Sequence, residues 1–213
     1  MKTTASYSNQ RVGIFVDVQN LYHSAKNLYR GRVNYAELIK NLLGDRQLIR
    51  AMAYVVKSEG VEPQGGAQQP AAREQRRSGI KPRRNPFGGE EPAEADEPTG
   101  GLSTEAAFFE ALEKAGLELR MKDLQIYAGG MKKADWDVGM AVDAIRMSEF
   151  LDVIILVTGD GDFLPLVDYL KWGAGRVVEV AAFRRSASSK LQEAADEFIA
   201  IEDIPRAIMK GRI

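Results

Sequence analysis

Residues Val153 to Phe163 read VIILVTGDGDF: five consecutive aliphatic side chains, then a hydroxyl and two aspartates set among glycines. An apolar run this short, β-branched and followed by turn residues predicts a strand buried on both faces. The same character returns at Val12 to Val18 (VGIFVDV) and Ile49 to Val56 (IRAMAYVV). Between and beyond them lie runs with helical periodicity. Leu21 to Arg30 and Tyr35 to Leu43 read as helices, the second stopped by Gly44. A third is capped by Ser103 or Thr104 and ends at Gly116, and a fourth spans Asp135 to Glu149 through Val138, Ala141, Val142 and Ile145. Another begins at Asp162 with Pro165 in its first turn, where a missing N–H is tolerated. Leu117 to Tyr127 contains a strand, and so does Arg176 to Phe183. Ser189 to Glu197 reads as a helix, and Phe198 to Ile201 as a short strand before a terminal helix. Strands separated by helices make an α/β domain with a mostly parallel sheet covered on both faces.

The 213 residues are 45% apolar and 28% charged, enough to bury one sizeable core. Met1 to Gln10 reads as a flexible N-terminus, and residues 11–213 as a single domain. The domain is interrupted from Ser58 to Gly101, a stretch with six of the 8 prolines and one aromatic residue, Phe87. Its charges are segregated. Arg73, Arg76, Arg77, Lys81, Arg83 and Arg84 precede Glu90, Glu91, Glu94, Asp96 and Glu97. Such a segment cannot supply a core, so a disordered charged insertion is expected. It is either an arm for an acidic partner such as RNA or a solvated loop.

Composition excludes several chemistries. With 29 Lys and Arg against 30 Asp and Glu, the formal charge is −1 and the chain is no globally basic nucleic-acid coat. The absence of cysteine removes disulfides, thiolate nucleophiles and Cys-ligated metals. A single histidine, His23, forbids a multi-histidine metal site, and no Ser or Cys constellation supports it as a catalytic base. No apolar run reaches the roughly 20 residues of a membrane span, and MKTTASYSNQR lacks a secretory h-region. A soluble, cytoplasmic protein without membrane contact is expected.

What remains is oxygen chemistry. In a parallel sheet, ligands gather beyond the carboxyl ends of the strands. Asp17 ends the first strand, Asp160 and Asp162 follow VIILV, and Asp135 and Asp137 open a helix. Carboxylates converging there suit a hard cation such as Mg²⁺ or Mn²⁺, whose charge relieves their repulsion. Asp17 and Asp160 adjoin wholly apolar strands, where an unpartnered charge is costly, and read as ligands. Asp162 serves either as a ligand or as a helix cap, Asn20 as a phosphate contact or a cap, and spacing alone does not separate Asp135 from Asp137. Asp143 is a candidate supporting group. Lys132 and Lys133 could contact phosphate. Tyr22, Trp136 and Phe163 could stack bases, although core packing is the common fate of aromatic residues.

IFVDVQNLY, KKADWDVGMAVDA and ILVTGDGDFLPLV, in that order, resemble the three signature blocks of the NYN domain family, in its LabA-like branch, related to the PIN-domain nucleases. The resemblance spans most of Val12 to Ile201 and leaves the insertion outside. It implies a Rossmann-like three-layer α/β/α, PIN-like fold and a Mg²⁺- or Mn²⁺-dependent ribonuclease that hydrolyses RNA phosphodiester bonds, acting as an endonuclease. Carried onto this chain, the acidic site is Asp17, Asp137, Asp160 and Asp162. Asn20 and Lys133 are substrate contacts, and Asp137 is favoured over Asp135. The alternative is a non-catalytic RNA-binding or regulatory scaffold that keeps the fold. RNA is the expected partner on either reading, and a homodimer is left open.

Overall fold

The computed structural model describes residues 7–57, 101–123, 125–126, 132–133 and 136–210. The insertion before Gly101, Asp135, the side chain of Lys133 and the first six residues therefore lie outside the description. In chain order the elements are β1 (Arg11–Asp17), α1 (Val18–Tyr29), β2 (Gly31–Val33), α2 (Tyr35–Leu43), β3 (Gln47–Lys57), α3 (Gly101–Lys114) and β4 (Glu118–Asp123). They continue with β5 (Gln125–Ile126), β6 (Lys132–Lys133), α4 (Asp137–Met147), β7 (Val153–Val157), α5 (Leu164–Asp168), β8 (Val177–Ala182), α6 (Ser189–Ala194), β9 (Glu197–Ala200) and β10 (Ile208–Lys210).

Six strands form the central sheet in the order β4-β3-β1-β7-β8-β9, with every neighbouring pair parallel. Side chains alternate across it, as the pleat requires. Ile14, Val16, Ile155 and Val157 join α1, α2 and α3 in one apolar layer. Phe15, Ile154 and Leu156 join α4, α5 and α6 in the other. VIILV is wholly buried, as its composition requires. From β1 the chain steps first to β3 and β4 on one side, then crosses to β7, β8 and β9 on the other. The strand order therefore reverses between β1 and β7, which opens a crevice at their carboxyl ends.

Two local expectations are corrected. The last described element is a strand rather than a helix: Arg206 takes a left-handed conformation (φ 61°), and β10 pairs antiparallel with β2. The helix after β7 does not run uniformly from Asp162. It begins as a 3₁₀ turn at Gly161–Phe163 and loosens into a π turn at Tyr169–Gly173, leaving Trp172 82% exposed. Neither glycine of the GDG turn has a positive φ. They are required for close approach instead: a Cβ on Gly159 would sit 3.1 Å from Ala187 Cα and 3.3 Å from Ser186 O.

An acidic cleft at the switch point

The crevice between β1 and β7 is a cleft of about 200 Å³, lined among others by Asp17, Asn20, Asp137 and Asp160. Segments more than a hundred residues apart meet there because β1 and β7 are adjacent and parallel. Asp17, the last residue of β1, also caps α1: its Oδ1 accepts the N–H of Asn20 at 3.0 Å. Its Oδ2 accepts the hydroxyl of Thr158 at 3.1 Å, and the same hydroxyl accepts the N–H of Asp160 at 3.2 Å. A fully buried threonine thus links the two carboxylate-bearing strand ends.

Asn20 does not use its side chain as a cap. Its Oδ1 accepts the N–H of Gly159 at 3.0 Å, which leaves both Nδ2 hydrogens for the cleft. Asp160 caps the turn that follows, accepting the N–H of Asp162 on Oδ1 at 3.0 Å. Asp162 itself is exposed and is not among the residues lining the cleft. Asp137, the first residue of α4, does line it.

Burial pushes the Asp17 carboxyl above its ordinary range, and the negative charge of Asp160 pushes the same way. The hydrogen bonds from Asn20 and Thr158 oppose them, and the net shift is upward. The cleft therefore carries a deficit of positive charge.

An Mg²⁺ or Mn²⁺ ion fits this donor set in one specific way. Carboxylate and amide oxygens are the ligands such ions prefer, and the upward shift of Asp17 is a cost that a cation relieves. Among the described residues, however, no three acidic or histidine side chains form a ready-made cage. That geometry matches an ion held by one or two carboxylates and completed by water and a substrate phosphate, the usual habit of Mg²⁺.

Several lining residues escaped the sequence reading. Tyr54 is buried on β3, donates its hydroxyl to Asp143 Oδ2 at 3.1 Å and faces the cleft. Burial first, then the Asp143 charge, raises its phenol far above the ordinary value, so it stays protonated. Asp143 also pairs with Arg120 at 3.4 Å and is not among the residues lining the cleft. His23, which no nucleophile constellation supports as a base, touches Tyr22 edge to face at 5.6 Å and also lines the cleft. Its position one helical turn beyond Asn20 was the signal that could have found it. Of the three candidate stacking residues, Trp136 lines the cleft, Phe163 is buried in the core and Tyr22 is 45% exposed.

Among the described residues no helix is long and apolar enough to cross a membrane. No curated protein matches the chain significantly in sequence. A crystal structure of a protein of unknown function from Vibrio parahaemolyticus is similar at 25% identity and TM-score 0.69, covering 97% of this chain and 100% of that one. A PLP-bound aminotransferase-type chain from Clostridium difficile aligns at 10% identity and TM-score 0.21, over 84% of this chain and 36% of that one, and bears on nothing here. The NYN domain model matches residues 11–202, taking in both strand ends and the helix that build the cleft. This chain belongs to the NYN domain family, whose fold is that of the PIN-like nucleases.

Proposed function

We propose that this protein is a metal-dependent ribonuclease of the LabA-like branch, hydrolysing RNA phosphodiester bonds within the chain. The observation that carries this reading is the shared cleft of Asp17 and Asp160, coupled through Thr158, with Asp17 pushed up by burial and by its neighbour. Asp17 and Asp160 would hold Mg²⁺ or Mn²⁺ directly, with Asp137, which lines the same cleft, reaching the ion through water. The exposed Asp162 would orient outer water. The ion, when bound, offsets phosphate charge and makes water a better nucleophile. Asn20 directs its Nδ2 hydrogens at a phosphate oxygen, held in place by the Gly159 contact. Tyr54, already donating to Asp143, serves as a wall and not as a base. Lys133 is a candidate phosphate contact. Water adds to phosphorus, the bond to the leaving ribose oxygen breaks, and that oxygen takes up a proton.

A second reading has its own support. Asp17 and Asp160 each accept a backbone N–H of the turn that follows, which favours an RNA-binding or regulatory scaffold in which the aspartates serve the fold. Incubation with end-labelled single-stranded RNA, with Mn²⁺ and with EDTA, separates the two. The ribonuclease reading expects internal cleavage that needs the ion and disappears in Asp17→Asn and Asp160→Asn with circular dichroism unchanged. Binding without turnover in saturating Mn²⁺, or full activity of either variant, overturns it.

A further inference from the structure

One wall of the cleft is built from aromatic rings rather than carboxylates. Trp136 and Tyr54 both line it, edge to face with centroids 5.5 Å apart and planes at 61°. The indole is fixed on several sides. Its Nε1 donates to the carbonyl of Val55 at 2.8 Å, anchoring it to the end of β3. A Cβ on Gly139 would lie 2.6 Å from its Cε3, so the first turn of α4 carries glycine where the ring rests against it. Lys122 Nζ stands 5.9 Å from the ring centroid. Trp136 nonetheless stays partly exposed.

A partly exposed indole with a satisfied N–H and a fixed orientation, beside an acidic phosphate site, is complementary to one ligand chemistry: a flat base joined to a phosphate. Stacking of this kind needs the base out of a duplex, because a paired base offers no free face. We propose that Trp136 is the platform on which an unpaired nucleobase next to the cut stacks. The proposal rests on the ribonuclease reading for the position of the phosphate. Its test does not require cleavage.

The protein has 2 tryptophans, so in a Trp172→Phe background all indole fluorescence reports Trp136. The probe is a short oligoadenylate added with Ca²⁺ in place of Mg²⁺, against a blunt RNA duplex of the same length. The proposal expects saturable quenching by the single strand and little by the duplex. With a cleavable RNA, Trp136→Leu should raise KM about 5- to 100-fold with kcat nearly unchanged, and Trp136→Phe should recover most of the loss. Cleavage without quenching, or equal quenching by the duplex, overturns the platform and leaves the ribonuclease reading intact. Quenching without cleavage supports the platform and overturns the ribonuclease. If Trp136→Leu fails to fold, the fluorescence of the intact indole decides alone.

Discussion

Asn20 Oδ1 accepts the backbone N–H of Gly159 at 3.0 Å, joining the first turn of α1 to the loop after β7. This bond between distant parts of the chain holds the two halves of the cleft in register. Asn20→Ala leaves a buried N–H without an acceptor and should cost about 1–3 kcal/mol of stability, measured by urea denaturation. Because the loop carrying Asp160 loses its anchor, cleavage should fall roughly 10- to 100-fold.

Gly159 lies against backbone and Gly161 against a side chain, and their alanine variants should differ accordingly. In Gly159→Ala the new methyl meets Ala187 Cα at 3.1 Å and Ser186 O at 3.3 Å, neither of which can turn aside. A loss of about 1–3 kcal/mol is expected. In Gly161→Ala the neighbours are Ser188 Oγ at 3.0 Å and Cβ at 3.1 Å, and the hydroxyl can rotate away. Its loss should be the smaller of the two in parallel thermal melts.

The raised pKa of Asp17 sets a direction for pH dependence in the metal-free protein. A carboxyl with a folded-state pKa above its unfolded value binds protons more tightly when folded. Its contribution to stability therefore decreases as pH rises from 3.8 through the raised folded value. Asp152 has the opposite sign. Hydrogen bonds from Arg11 hold it at about 2, so its contribution is present above 3.8 and is lost as pH falls through about 2. In EDTA, melting of Asp17→Asn relative to wild type should improve as pH rises above 3.8 and level off once pH passes the raised folded value. An unchanged difference across that range would show that Asp17 carries no electrostatic cost.

Mn²⁺ should raise the melting temperature of the wild type by mass action. The gain is about 2.7 kcal/mol when free ion reaches a hundred times its dissociation constant. Asp17→Asn and Asp160→Asn should lose most of that response while remaining folded in EDTA. Differential scanning fluorimetry across a Mn²⁺ titration reads the effect without any substrate.

Some of the site was legible because a few side chains contradicted their surroundings. Asp17 and Asp160 stood out as charges at the ends of wholly apolar strands, and the cleft contains both. The parallel sheet followed from VIILV and VGIFVDV in the same way, since each is apolar on both faces. Tyr54 and Thr158 gave no such signal. A tyrosine in an apolar strand and a threonine after one are ordinary residues, and only their neighbours make them part of a site.

Local pattern settled the strands, most of the helices and which carboxylates had to find partners, because burial of alternating or continuous apolar runs is decided within a few residues. Tertiary structure decided the rest. It assigned the turn cap to Asp160 rather than Asp162, bonded Asn20 to Gly159, brought His23 and Trp136 to the cleft and paired the last strand with β2. Those outcomes depend on strand order and on atoms from distant segments meeting within 3 to 4 Å, distances that no short-range periodicity encodes.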